Sequence, residues 1–171
     1  MLKEDGMRLL EKVFYEDQQY ATVPFRSVKT VLPIDMFFYE YMIGNAAQSV
    51  SDENQVKRID QLEKVFWEIE KELRAGSGMS PAAKEYFTYK LAEMLLSIYS
   101  IMLIKDTDRK RGLLEAKRLY AELTEKNPEL AKCTARKYRI SRVLHAFGFT
   151  GKTLAGLKDS ALYALLKRAA H

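Results

Sequence analysis

Apolar side chains recur at spacings of three and four residues through most of the chain, which is the pattern of a helix with one buried face. The series Ile59, Leu62, Phe66, Ile69 and Leu73 is a clear example. The 171 residues contain only eight glycines and four prolines, too few for a turn-rich all-β protein. The sequence therefore predicts a mainly α-helical domain that is large enough to bury a core.

Capping residues divide this helical part into separate elements. Ser80-Pro81 favours a helix start, because the hydroxyl can cap the first turn and proline is tolerated at the first helical position. Asn127-Pro128 separates two further helices, and Gly148 ends the second of them. Short connections favour antiparallel neighbours, so we expect an antiparallel bundle of about five helices. The first of these helices is predicted to end near residue 75, and the second to start at Pro81. The other three are predicted over 108–126, 128–147 and 154–169.

The first fifty residues have a different pattern. Residues 28–43 are rich in β-branched and aromatic types, with Pro33 and Asp35 interrupting them, and this predicts two short strands that form a small hairpin. A short helix from Asp17 to Ser27 is expected before them, irregular at Pro24. The chain is accordingly divided into an N-terminal segment, residues 1–52, and a helical bundle, residues 53–171.

Three features favour a cytoplasmic protein without a membrane span. The single cysteine, Cys133, cannot form an internal disulfide, and the first residues do not form a basic-then-apolar leader. The longest apolar stretch, Leu91 to Ile104, is interrupted by Glu93 and is shorter than the ~20 residues that cross a bilayer. Cys133 has no catalytic motif around it, so a small buried residue is expected there rather than a nucleophile.

Positive charge is concentrated in the last part of the chain. From Lys126 to His171 there are ten basic residues and two acidic ones, and this part alone accounts for the net charge of +5. The simplest interpretation is a solvated face of basic helices. Attraction to phosphates is the alternative, and we favour an anionic membrane surface over nucleic acid, because aromatic residues are not interleaved with the basic ones. The candidate contacts are Arg136, Lys137, Arg139 and Arg142.

No metal site is expected in this chain. His145 and His171 have no cysteine or carboxylate partners at ligand spacing. Asp106-Thr107-Asp108 has the form of an Asp-x-Asp metal motif, but it lies between two predicted helices, where aspartate is a natural cap.

The segment Phe14-Tyr15-Glu16-Asp17-Gln18 resembles the acceptor-side segment of bacterial family 2 glycosyltransferases, in which an aromatic residue precedes Glu-Asp. The resemblance covers residues 1 to about 75, in order and at similar spacing. The further matching segments are Leu2 to Arg8, Leu32 to Asp35, Phe38 to Gly44, Gln48 to Ser51 and Arg58 to Asp60.

The resemblance implies an inverting, nucleotide-sugar-dependent enzyme of cell-surface polysaccharide synthesis. Asp17 would be the general base and Glu16 an orienting acid, although acidic residues at a helix N-terminus are also explained by the helix dipole alone. The substrate wall would include Tyr39, Tyr41, Gln48 and Ser49. The two tyrosines alternate along a predicted strand and would share one face, either packing on the first helix or stacking on sugar.

The nucleotide-sugar half of such enzymes, an α/β unit, does not fit before residue 16. The resemblance therefore implies that this chain is a C-terminal part that needs a partner domain, where a divalent metal, Mg or Mn, would be held. We expect the chain alone not to transfer sugar. A lipid-linked acceptor is consistent with the basic C-terminal helices. The alternative is a non-catalytic helical interaction module, and a homo-oligomer stays open in either case.

Overall fold

The computed structural model of the chain describes residues 7–37, 40, 51–76 and 78–156. Within these residues the protein is mainly helical, as the apolar spacing predicts. Besides the α-helices there are a 3-10 turn, Val23–Arg26, which follows the first helix of the chain, and a π-helical turn, Ile101–Lys105, which extends the fourth helix. The helices are α1 (Glu16–Thr22), α2 (Asp52–Lys57), α3 (Ile59–Ala75), α4 (Pro81–Ser100), α5 (Arg109–Lys126), α6 (Pro128–Ala146) and α7 (Gly151–Gly156).

Side-chain caps set the starts of the long helices. The Ser80 hydroxyl accepts a hydrogen bond from the Ala83 amide at 3.1 Å, and Pro81 occupies the first turn of α4. Asp108 caps α5 and Asn127 caps α6, each by accepting an amide hydrogen bond at 3.0 Å. These are the predicted boundaries, and the Asp-x-Asp segment is the helix cap that the sequence favours.

Helix α4 is at the centre of the core. It packs against α3 and α6, and the π-helical turn that extends it packs against α2, α5 and α6. Phe87, Leu91, Leu95 and Ile98 are completely buried. Of the described chain, the helix Pro81–Lys105 is long and apolar enough to cross a membrane by length and composition, but 61% of its most apolar window is buried inside the protein. Such burial is also typical of a core helix.

Helix α6 packs against α5. The ring of Tyr120 stacks on that of Tyr138 at 4.1 Å, and the guanidinium of Arg109, at the start of α5, donates to the carbonyl of His145 near the end of α6. On its other side, α5 approaches the π-helical turn so closely that a Cβ atom at Gly112 would lie 1.9 Å from the Met102 carbonyl oxygen. The lack of a side chain at Gly112 makes this contact possible.

The predicted hairpin is not seen where the structure describes its residues. Residues 28–37 and Glu40 contain no strand, while 38–39 and 41–43 lie outside the described residues. The predicted helix from Asp17 to Ser27 is present as α1 and the 3-10 turn, which contains Pro24. The last predicted helix, 154–169, overlaps α7 at its beginning, and 157–169 lie outside the described residues.

Candidate functional site

The Glu-Asp pair lies in the first turn of α1. Glu16 and Asp17 are both exposed, and a carboxylate oxygen of Asp17 lies 3.3 Å from the amide nitrogen of the Gln18 side chain. Tyr15, which precedes the pair, has a left-handed backbone conformation, φ 72° and ψ 14°. Such a conformation is uncommon for a residue with a large side chain and has to be held by its surroundings.

Helix α3 and Arg58, the residue that precedes it, provide the contacts that hold the start of α1. The Phe14 amide donates to Oε1 of Gln61 at 2.8 Å, and the guanidinium of Arg58 lies 3.5 Å from the centroid of the Phe14 ring. Burial raises the pKa of the Tyr15 phenol, and the positive charge of Arg58 opposes this shift. The segment before Asp17 is therefore anchored by α3 over a long sequence separation.

The inner side of α1 is fixed as well. The buried Gln19 side chain accepts from the Leu10 amide at 3.1 Å and donates to the Arg8 carbonyl at 3.2 Å. Lys90 of α4 donates to Oε1 of Gln18 at 3.2 Å. Exposed Asp17 is thus carried by a helix whose other side is bound to the rest of the protein.

A cleft of about 470 Å³ lies beside α1. Tyr15 and Gln18, the neighbours of the Glu-Asp pair, line it, and neither Glu16 nor Asp17 does. The remaining walls come from α2, α3, α4 and the π-helical turn. Their polar contributions are Gln55, Glu93, Ser97, Ser100 and Lys105.

The predicted substrate wall comprises four residues. Tyr39, Tyr41, Gln48 and Ser49 lie outside the described residues. Their predicted roles stay predictions.

The basic run on α6 is divided between the surface and the interior. Arg136, Arg139 and Arg142 are exposed. Lys137 is not part of this surface, because its ammonium group lies 2.6 Å from a carboxylate oxygen of Glu93 and its side chain is only 13% exposed. Next to the arginines, Val143 is 54% and Phe147 78% exposed. We call Arg136, Arg139, Arg142, Val143 and Phe147 the α6 basic face.

The two aspartates and the histidine that resemble metal ligands have other partners in this protein. Both carboxylate oxygens of Asp106 accept from Arg111 at 2.9 Å, and Asp108 caps α5. Nδ1 of His145 lies 2.8 Å from the Leu103 carbonyl oxygen. Within the part of the chain that the structure describes, no three His, Cys, Asp or Glu residues are grouped so that they could hold a metal ion.

Two features differ from the sequence analysis or were missed by it. Cys133, expected to be buried, is exposed on α6. On α4, the polar residues Glu93, Ser97 and Ser100 line the cleft at spacings of four and three, which is one face of a helix. This spacing could have been recognised in the sequence, but the apolar residues on the other faces of α4 dominate the pattern there.

No protein-family model, no curated protein and no solved structure matches this chain.

Proposed function

We propose that this chain is the C-terminal, acceptor-side part of an inverting glycosyltransferase of cell-surface polysaccharide synthesis. Asp17 is the general base, with Glu16 as an orienting acid, and Tyr39, Tyr41, Gln48 and Ser49 contribute to the substrate wall. The observation that carries the proposal is the exposed carboxylate of Asp17 on an otherwise anchored helix beside a cleft.

In the proposed reaction, the acceptor hydroxyl donates a hydrogen bond to the Asp17 carboxylate. The hydroxyl oxygen forms a bond to the anomeric carbon from the side opposite the nucleotide, the bond from that carbon to the diphosphate oxygen breaks, and the proton moves to Asp17. A carboxylate suits this role because it can orient the hydroxyl and then accept its proton. The sugar configuration is inverted in this single displacement.

The nucleotide sugar has to come from a partner domain, and the chain alone is expected to be inactive. A divalent metal, Mg or Mn, would neutralise the leaving diphosphate in that domain. The described residues of this chain do not fit such a metal, since Asp106 and Asp108 are used by Arg111 and by the α5 cap. Exposed apolar side chains between Val31 and Phe37, each at least 61% exposed, support a contact with the partner domain.

The antiparallel packing of the helices and a small β element are also part of this proposal. We take the long helices to be antiparallel neighbours, because one residue joins α5 to α6 and three join the π-helical turn to α5. A small β element within 28–43 would form the wall opposite α1.

The test is nucleotide-sugar turnover by the protein in which an α/β half precedes this chain, with and without Asp17→Asn. Loss of the base is expected to lower kcat by about 10²–10⁴-fold. The matched control is Asp60→Asn, which changes another exposed aspartate in the first turn of a helix and is expected to retain turnover. Unchanged turnover in Asp17→Asn, or a gene without an in-frame α/β half, would contradict the proposal.

A second candidate is a non-catalytic helical interaction module at the cytoplasmic surface of a membrane. The α6 basic face favours it, because exposed arginines beside exposed Val143 and Phe147 combine charge attraction with an apolar group that can enter a lipid interface. The same face would serve a transferase that acts on a lipid-linked acceptor. Nucleic acid remains the less favoured partner, and self-association is a further option for either candidate.

Sedimentation with vesicles that contain anionic lipid tests the membrane contact. Binding is expected at low salt, and it should decrease at high salt because exposed charges are screened. Replacing Arg136, Arg139 and Arg142 by Gln should abolish binding, whereas the same change at exposed Lys110, Lys117 and Arg118 of α5 should not. Sedimentation equal to that with neutral vesicles would eliminate the membrane contact.

A further inference from the structure

Helix α4 has a polar face although it is the central helix of the core. Lys90, Glu93, Ser97 and Ser100 follow one another at spacings of three, four and three residues, which places them on one side of the helix. The other sides are apolar and completely buried at several positions. A polar face on such a helix is unfavourable against a core and needs water or a ligand opposite it.

The polar face of α4 borders the cleft beside α1. Glu93, Ser97 and Ser100 line the cleft, and Lys90 lies at its margin, bonded to Gln18. Among the described residues, the hydroxyls of Ser97 and Ser100 have no hydrogen-bond partner. The Tyr15 phenol, which also contributes to the lining, is buried without a partner. The two serine hydroxyls are available for a ligand or for water, whereas the Tyr15 oxygen has almost no accessible surface and is not.

The charges that line the cleft are compensated. The carboxylate of Glu93 is paired with Lys137 at 2.6 Å. The ammonium group of Lys105 lies 3.0 Å from Asp52 and donates to Gln55 at 2.6 Å. A free phosphate or a nucleotide would need unpaired positive charge, which the residues of the lining do not offer; Lys90, at the margin, is bonded to the neutral amide of Gln18.

The rest of the lining is apolar. Leu62, Met94, Leu96 and Ile101 contribute to it, beside the amides and hydroxyls already named. A sugar ring has the matching chemistry, since its C–H face is apolar and its edge carries hydroxyls that donate and accept. The volume of about 470 Å³ falls in the range of about 300–1,000 Å³ that small-molecule sites occupy.

We infer that this cleft binds an uncharged carbohydrate, which in the proposed enzyme is the acceptor glycan. The second half of this statement rests on the proposed function, and the first half does not. Ser97 and Ser100 bind sugar hydroxyls, Gln18 and Gln55 fix the orientation, and the apolar side chains contact the ring. Gln18 and Tyr15 flank the Glu-Asp pair, so a bound glycan would extend toward Asp17.

Amide-resolved NMR titration of this chain with cellobiose, maltose and lactose tests the inference, with sodium phosphate as the charged comparison. We expect saturable shifts at millimolar sugar, confined to Gln18, Ser97, Ser100 and their neighbours. Ser97→Phe should weaken binding by about tenfold or more, a loss of about 1.4 kcal/mol, because the ring would occupy the cleft. Ser97→Ala, which is milder at this exposed position, should weaken it by about threefold.

The matched control is Thr124→Phe, which adds the same ring at an exposed helical hydroxyl residue on α5. It should bind sugar as the wild type does. Absence of saturable shifts in the cleft with all three sugars, tighter binding of phosphate there, or unchanged binding by Ser97→Phe would overturn the inference.

Turnover and sugar binding together distinguish a failure of the proposed function from a failure of the inference about the cleft. Asp17→Asn should keep sugar binding while it loses turnover. Sugar binding together with unchanged turnover in Asp17→Asn would remove the proposed function and leave a carbohydrate-binding cleft. Loss of turnover without any sugar binding in the cleft would remove the inference alone.

Discussion

Tyr99 is completely buried on α4, and its hydroxyl has no hydrogen-bond partner within the described residues. Its ring lies 5.0 Å from that of Tyr138. Burial raises the pKa of the Tyr99 phenol, and nearby Tyr138, Tyr120 and Glu63 raise it further. A buried hydroxyl without a partner is unfavourable, so the aromatic ring and not the oxygen accounts for the stabilisation at this position.

Tyr99→Phe is therefore expected to leave the free energy of unfolding unchanged, or to increase it by about 1 kcal/mol, at neutral pH. The pKa of Tyr99 in the folded protein is above the unfolded value of about 10. Ionisation of Tyr99 therefore leaves the free energy of unfolding unchanged below about pH 10 and lowers it as the pH rises further. Urea unfolding at neutral and alkaline pH measures both effects. Tyr99→Phe should lose less stability at alkaline pH than the wild type, and Tyr20→Phe, at an exposed site, should behave as the wild type. A neutral-pH loss above about 2 kcal/mol would contradict this account.

Gly112→Ala is expected to destabilise the protein although alanine is the better helix former. The new Cβ would lie 1.9 Å from the Met102 carbonyl oxygen, so α5 would have to move away from the π-helical turn. We expect a net loss of about 2 kcal/mol in the free energy of unfolding. Gly156→Ala is the control, because its added Cβ has no atom of the described residues within 4 Å apart from the adjoining backbone. Equal stability of the two variants would show that α5 can shift at no cost.

At the scale of elements, Asn127 joins α3, α5 and α6. Its Oδ1 caps α6, and its Nδ2 donates to Oε1 of buried Glu70 at 3.0 Å. Arg74 is the second partner of Glu70, at 3.3 Å. The residue between two helices therefore also satisfies a carboxylate in the interior.

Substitutions at Asn127 can separate these two roles. Asn127→Asp keeps a capping oxygen but places a second carboxylate against Glu70, and we expect a loss of about 2–3 kcal/mol. Asp108→Asn at the start of α5 is the matched control, because it also exchanges amide and carboxylate at a cap, and it should cost less than about 1 kcal/mol. Thermal unfolding measures the difference. A similar small loss in both variants would show that the Glu70 contact contributes little.

The sequence predicted helices wherever a local signal was sufficient. Ser80, Asp108 and Asn127 cap helices by short-range geometry, and periodic apolar residues face the core. The π-helical turn was not predicted, since Ile101–Lys105 continues the apolar pattern and differs only in its hydrogen bonding. Strand propensity in 28–37 did not lead to strands, because that propensity depends on a sheet and a buried face to pack against.

At the scale of the whole molecule, one apolar core includes side chains from the 3-10 turn, α3, α4, α5 and α6. For the candidate site, the sequence predicts Glu16 and Asp17 from a short motif, and their role stays a prediction. It could not provide the cleft, since Gln18, Gln55 and Ser97 meet only after α1, α2 and α4 have packed. Nor could it show that Lys137 pairs with Glu93, a contact across 44 positions.

The exposed segment 29–37 lies outside this core and is expected to be the first described region that a protease cleaves. Trypsin should cut after Lys29, which is exposed in a stretch without regular structure, before it cuts after exposed Arg139 within α6. Brief digestion followed by mass spectrometry measures the order. Lys29→Gln should remove the early cut. Early cleavage within α6 would show that the core opens more readily than its burial indicates.

The polar face of α4 also has a consequence during synthesis. A nascent segment as apolar as Pro81–Lys105 can be taken up by the machinery that threads proteins into lipid bilayers. A lysine near the middle of such a segment makes that transfer less favourable by ~2.5–3.5 kcal/mol. Lys90, which bonds Gln18 in the folded protein, thus also makes the uptake of this newly made segment into a bilayer less favourable.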